Sequence, residues 1–211
     1  VAIMSVLSLT SNAQDPTFTQ FYSNPIYLNP AFAGSNGCPR FGLNYRNQWP
    51  SLPGTFVTTA ASYDQHFDKI GGGIGILVMD DRAGEGLLRS QTVSGIYSFQ
   101  LRVNRKFTMR FGLEGQYGQR SIDWQRLRFE DQIDPTVGFT KKTAEQFSDQ
   151  PVTYANFAAG VVGYTERFYG GVAVHNLIEP NQSFFGSKEA IVPMRFTGHG
   201  GVVIPLDGRK V

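Results

Sequence analysis

Cysteine is almost absent from this chain of 211 residues, which contains only Cys38. One cysteine cannot form an intrachain disulfide, and its Gly-Cys-Pro setting offers no positioned histidine for a catalytic thiol. Histidine is scarce too, and His66, His175 and His199 show no metal-ligand spacing. We therefore expect no catalytic residues, no metal and no cofactor.

An excess of charge of one sign is also missing, because 19 Lys and Arg face 17 Asp and Glu for a net charge of +2. A nucleic-acid-binding protein gathers its basic residues on one face, whereas here they are scattered among acidic ones. The glycine run at residues 71–75 lacks the Gly-Lys-Ser/Thr ending of a phosphate loop. We therefore expect no nucleic-acid or nucleotide partner.

Long hydrophobic runs are lacking as well. The first fourteen residues, VAIMSVLSLTSNAQ, are the most apolar stretch, and they are too few to span a bilayer as a helix. They end in the small residues Ser11-Asn12-Ala13, which is typical of a signal peptide cleaved after Ala13. We expect residues 1–13 to be a signal peptide and the mature chain to begin near Gln14.

What the sequence does contain is alternation of apolar and polar residues with a period of two. In residues 106–119 one face carries Phe107, Met109, Phe111, Leu113 and Tyr117, and the other carries Thr108, Arg110, Glu114 and Gln116. This period predicts a β-strand. In a soluble sandwich the charged face would meet outer water, whereas in a membrane barrel the apolar face points to lipid and the charged face lines the interior.

Eight segments show this kind of pattern, namely residues 40–48, 56–63, 73–79, 88–102, 106–119, 156–164, 167–175 and 194–205. The connections after the second, fourth and sixth are short, and those after the first, third, fifth and seventh are longer. Outer-membrane barrels place short turns on the periplasmic rim and long loops outside the cell. The pattern therefore predicts an all-β, antiparallel transmembrane outer-membrane β-barrel with about eight strands in this chain.

Residues 14–38 lie between the signal peptide and the first strand and are rich in Pro, Asn and aromatic residues. Pro25 and Pro30 fix their own φ angles and bias Asn24 and Asn29 toward extended geometry. We expect a stiff segment on the periplasmic side of the barrel.

Several motifs are spread along the chain. They are QDP at 14–16, FTQFYSNP at 18–25, LNPAFAG at 28–34, NYRNQWP at 44–50, ASYD at 61–64 and GGVAVHNL at 170–177. In these motifs the chain resembles the PorP/SprF family of type IX secretion system membrane proteins of Bacteroidetes-type bacteria. Members of that family resemble barrels with more strands, so we expect the barrel at residues 39–211 to be incomplete at its C-terminus.

The resemblance implies a non-catalytic outer-membrane protein that supports secretion or surface attachment of cargo such as gliding adhesins. Its implied partners are periplasmic and outer-membrane type IX components, the cargo and outer-membrane lipid. It also implies that the N-terminal segment contacts a partner. The residues expected to do so are Phe18, Gln20, Phe21, Tyr22, Asn24, Pro25, Asn29 and Pro30.

The polar face of the strands supplies the expected lumen-facing residues, which are Arg46, Arg110, Glu114 and Gln116. Such residues either pair with one another or line a pore. Two alternatives therefore stay open, a porin-like channel for small solutes and a soluble β-sandwich adhesin. If a second protein layer buried Phe107, Phe111 and Leu113, the hypothesis of a membrane-spanning barrel would be excluded.

Overall fold

A computed structural model describes residues 21–51, 54–84, 87–127, 132–134, 138–139, 150–184 and 190–204. The strands in these ranges are β1 Arg40–Gln48, β2 Phe56–Phe67, β3 Gly72–Ala83, β4 Leu88–Arg102, β5 Thr108–Ile122, β6 Ile133–Asp134, β7 Gly138–Phe139, β8 Val152–Tyr164, β9 Phe168–His175 and β10 Arg195–Val202. Helix α1 spans Pro25–Leu28, and short 3-10 helices span Phe21–Ser23, Pro30–Phe32, Asp68–Ile70 and Trp124–Arg126. The expected signal peptide at residues 1–13 and the start of the expected N-terminal segment, residues 14–20, lie outside the described residues.

Eight strands form one antiparallel sheet in the order β1-β2-β3-β4-β5-β8-β9-β10, and β6 pairs only with β7. Each strand of the large sheet therefore pairs with the next large-sheet strand along the chain, and the sheet curves into a half-barrel. These eight strands coincide with the eight segments that alternate in sequence. The predicted fold class is confirmed: the described residues form an all-β structure whose main sheet has eight antiparallel strands.

Strand ends differ from the sequence expectation where alternation fades. β2 continues beyond residue 63 to Phe67, and β3 continues through Asp80 and Asp81 to Ala83. Backbone pairing persists there although the side chains become polar on both faces. As a result only four residues of sequence separate β3 from β4, so the connection after the third strand is not one of the longer ones, contrary to expectation. The last strand ends at Val202, before its expected end at residue 205, which itself lies outside the described residues.

The large apolar side chains lie on the outside of the half-barrel. In β5, Phe111 and Leu113 are 39% and 64% exposed, whereas Arg110 and Glu114 are only 1% and 8% exposed. A two-layer sandwich would bury the apolar side chains and expose the charged ones. The outward apolar face and inward polar face are those of a strand wall that meets lipid.

Helices contribute little to the fold. In the part of the chain that the structure describes, no helix has both the length and the apolar character needed to cross a membrane.

The compact core lies on the concave side of the sheet. Ile26, from α1, packs in a buried cluster with Ala33 and with sheet residues Ala60, Leu77, Met79 and Ile96. Residues 24–34, here called the inner segment, thus lie within the half-barrel. The sheet wraps around part of its own N-terminal region.

Candidate functional site within the half-barrel

Three glycines make a groove in which the inner segment lies. A Cβ atom on Gly112 would stand 2.1 Å from the amide nitrogen of Ala31, and one on Gly73 would stand 2.3 Å from the carbonyl oxygen of Ala33. On Gly160 it would stand 2.0 Å from Oδ1 of Asn29. Glycine in a strand often marks such close approach. At these three positions the absence of a side chain is what admits the inner segment.

Asn29 anchors the middle of the inner segment and is fully buried. Its Oδ1 accepts a hydrogen bond from the Ala31 amide at 2.9 Å. Its Nδ2 donates to the carbonyl oxygens of Val161 at 3.3 Å and Val172 at 3.1 Å, and lies 3.0 Å from Nε2 of His199. Asn29 has the extended backbone expected from the proline that follows it, with φ −154°. One side chain therefore joins the inner segment to β8, β9 and β10.

Asp64 holds the other end of the inner segment, where the chain turns into β1. The carboxylate accepts hydrogen bonds from Nε and Nη2 of Arg40 at 2.8 and 3.0 Å and from the Gly34 amide at 2.7 Å. Asp64 is 1% exposed. Gly34 has φ +66°, a backbone geometry that favours glycine. In β4, Ser98 Oγ donates to the carbonyl oxygen of Ala33 at 2.5 Å.

The expected lumen-facing residues are divided by the inner segment. Arg110 and Glu114 lie on either side of Gly112 on the same face of β5, so the inner segment crosses between them. On the side of the short turns, Nη2 of Arg110 is 3.5 Å from Nδ1 of His66. Arg46 is half-buried on the same face of the sheet, in β1, where it donates a hydrogen bond to Gln48.

Glu114 and Gln116 line a cavity of about 400 Å³ on the long-loop side of the inner segment. Asn156 and Arg120 are among its other polar lining residues, and Arg195 also lines it, with the guanidinium 5.5 Å from the centre of the Tyr27 ring. Only two of the four expected lumen residues meet in it.

The residues expected to contact a partner are also separated. Phe18 and Gln20 lie outside the described residues, and Phe21 begins the 3-10 helix Phe21–Ser23. Tyr22 is 68% exposed, whereas Asn24, Asn29 and Pro30 are buried against the sheet and Pro25 is half-buried. In this conformation the surface open to a partner therefore includes Tyr22 but not Asn24, Asn29 or Pro30.

Sequence reasoning missed a set of hydrogen bonds that ties the β9–β10 connection over the cavity. Asn156 Nδ2 donates to Oδ1 of Asn176 at 2.6 Å and to Oε1 of Gln116 at 3.3 Å. Nδ2 of Asn176 donates to the carbonyl oxygen of Pro193 at 3.3 Å, and Arg120 Nη1 donates to Oε1 of Gln182 at 2.8 Å. Asn176 also has φ 60°, which asparagine tolerates better than most residues. No local motif signals these contacts.

Replacing Asn156 with alanine is expected to loosen this connection. The change removes both donated hydrogen bonds and leaves two acceptors without them, at a cost of about 1–3 kcal/mol. Cleavage by a protease within residues 177–184 should become several-fold faster. Asn47→Ala on exposed β1 is the matched control and should leave the cleavage rate unchanged. Equal rates for the two variants would contradict the proposed contact.

The three histidines serve separate hydrogen bonds. His66 lies beside Arg110, His175 beside the Leu28 carbonyl at 3.3 Å, and His199 beside Asn29. Among the described residues no group of three or more His, Cys, Asp or Glu side chains is placed to hold a metal ion.

An antiparallel wall with an apolar exterior, a polar interior and a segment packed inside it is the architecture of a membrane β-barrel protein. The family comparison agrees, since the model for type IX secretion system membrane protein PorP/SprF matches residues 10–211. The chain belongs to the PorP/SprF family. Searches of curated proteins and of solved structures gave no match.

Proposed function

We propose that this protein is a non-catalytic outer-membrane component of the type IX secretion system that supports secretion or surface attachment of cargo such as gliding adhesins. Membership of the PorP/SprF family supports the link to the secretion system. The apolar exterior of the half-barrel supports residence in a membrane, and the expected signal peptide supports export to the outer one. In this arrangement the short turns face the periplasm and the long connections face outward.

The inner segment is the observation that favours this role over a porin-like channel. A porin needs a continuous aqueous path along its interior. Here residues of the inner segment cross the concave face between Arg110 and Glu114, and Asn29 and Asp64 hold them there. An interior occupied by the chain itself suits a scaffold that presents surfaces to partners.

Two surfaces are available to those partners. Tyr22 precedes the buried part of the inner segment and is 68% exposed, so we assign it to contact with another secretion component. The β9–β10 connection, tied inward by Asn156 and Arg120, presents its outer side toward the cargo.

Replacing Tyr22 with serine is therefore expected to reduce surface display of cargo several-fold while insertion of the barrel stays normal. The reason is that the change removes an exposed aromatic contact and leaves the buried anchors in place. Cargo on intact cells is measured with an antibody, and insertion is measured by the heat-dependent gel mobility of the folded barrel. Deleting residues 15–34 is a blunter test, because it also removes the inner segment.

Tyr45→Ser is the matched control, since Tyr45 is also 68% exposed but points outward from β1. Equal cargo display for the two variants would show that Tyr22 does not contribute to the surface that binds a partner. Steady ion conductance by the wild-type protein in planar bilayers would instead favour the porin alternative.

A further inference from the structure

Three charged side chains form a compact cluster on the outer face of β3 and β4, near the long-loop rim. Asp80 accepts a hydrogen bond from Nε of Arg82 at 2.7 Å and from Nε of Arg89 at 2.6 Å. Arg82 and Arg89 are directly opposite each other in the sheet register. The two guanidinium groups are thus held side by side by one carboxylate.

The three side chains have a net charge of +1, because two arginines share one aspartate. Like charges directly opposite on neighbouring strands repel, and Asp80 balances only one of the two arginines. Each arginine uses Nε for Asp80, and in the described part of the chain no other hydrogen bond holds either guanidinium. The Nη donors of both side chains, which are 51% and 42% exposed, remain available to a second anion.

The sheet register places the cluster just beyond the apolar band of the outer face. Residues that pair across β2 to β5 form rows perpendicular to the strands. One such row has apolar or small side chains and consists of Ala61, Val78, Val93 and Tyr117. The next row toward the long loops is polar, and consists of Thr59, Asp80, Gln91 and Gln119. Arg82 and Arg89 occupy the row after that. They lie about 13 Å along the strands from Val78 and Val93, at the rise of a strand per residue.

This position is where the headgroups of a lipid leaflet meet the protein. Arginine binds phosphate through its fork of parallel donors, and a side chain already fixed by a neighbour loses less entropy on binding. Basic clusters at the membrane surface select anionic lipids. We propose that Arg82 and Arg89, positioned by Asp80, bind the phosphate of an anionic lipid in the leaflet on the long-loop side. This inference requires a membrane-spanning wall and is independent of the secretion role.

The test measures lipid retention by the full chain purified in a neutral detergent. Native mass spectrometry is used to compare binding of phosphatidylglycerol with binding of phosphatidylcholine. The wild-type protein is expected to retain phosphatidylglycerol preferentially. Arg82→Gln combined with Arg89→Gln should weaken that binding about tenfold, which corresponds to the loss of charge-assisted contacts. Arg105→Gln, an exposed arginine in the β4–β5 turn, is the matched control and should leave binding unchanged.

A second variant distinguishes specific binding by the two guanidinium groups from general attraction between positive charge and an anionic lipid. Arg82→Lys with Arg89→Lys keeps both charges but loses the donor fork and the Nε contacts with Asp80, so binding should weaken by a smaller factor. If the double lysine variant bound phosphatidylglycerol as tightly as the wild type, the proposed site would be wrong. It would also be wrong if the double glutamine variant and Arg105→Gln lost equal amounts of binding. Full competition by millimolar inorganic phosphate would also overturn it, because the site would then take the free ion. Heat-dependent gel mobility confirms that each variant is folded.

Discussion

Valine in place of Gly112 is expected to expel the inner segment from the half-barrel. A Cβ atom there would lie 2.1 Å from the Ala31 amide nitrogen and 2.3 Å from the Pro30 carbonyl carbon. Both contacts are backbone atoms next to a fixed proline ring, so they cannot move aside as a flexible side chain could. Overpacking of this kind costs about 1–3 kcal/mol and often more. The free energy of unfolding in urea should fall by about 3 kcal/mol, and a protease should cleave residues 24–34 rapidly.

Gly95→Val is the matched control for this change. Gly95 is also in a strand interior, but it faces outward, and a Cβ atom there would meet nothing within 4 Å. Because valine favours strands, this variant should be as stable as the wild type or slightly more stable. If protease protection of the inner segment were the same in both variants, the glycine groove would not be what admits the segment.

Replacing Asp64 with alanine is expected to cause the second large decrease in the free energy of unfolding. The change removes the two hydrogen bonds from Arg40 and the one from the Gly34 amide, and it leaves Arg40 three-quarters buried without its carboxylate. Breaking a buried ion pair by removing one partner costs about 3–5 kcal/mol. Because Arg40 keeps some contact with solvent, we expect a value near the lower end, measured as a shift of the urea midpoint.

Asp68→Ala is the control, since Asp68 follows β2 in the adjacent turn and its side chain is fully exposed. It should leave the midpoint unchanged. Asp64→Asn keeps one acceptor oxygen, so its urea midpoint should lie between those of Asp64→Ala and Asp68→Ala. A midpoint for Asp64→Ala equal to that of Asp68→Ala would mean that Asp64 does not hold the end of the inner segment.

The strands of this protein could be read from the sequence because their signal is local. In β5 every second residue from Met109 to Leu113 is large and apolar, and this period alone predicts a strand with one apolar face. The structure decided between the alternatives, because it places Phe111 and Leu113 on the outside of the half-barrel. The same rule failed at Asp80 and Asp81, where backbone pairing with β4 extends the strand although alternation has ended. Sequence patterns report side chains, whereas strand ends depend on the partner backbone.

The candidate site was only partly predictable for a related reason. Alternation puts Glu114 and Gln116 on the polar face of β5, but nothing local shows that Pro30 and Ala31 pass between Arg110 and Glu114. Glycine within a strand also marks bends, so the sequence does not single out the glycines that admit the inner segment. Similarly, only the register of β3 and β4 places Arg89 beside Arg82 and Asp80.

The sequence by itself determined the class of fold, the eight strands and the sides of the sheet on which apolar and charged residues lie, because each of these follows from a period of two along a short stretch. Only the tertiary structure decided where the N-terminal segment goes. Asn29 meets Val161 and Val172 across 132 and 143 residues of chain. Contacts of that separation arise from the curvature of the whole sheet, to which eight strands contribute together and which no single stretch encodes.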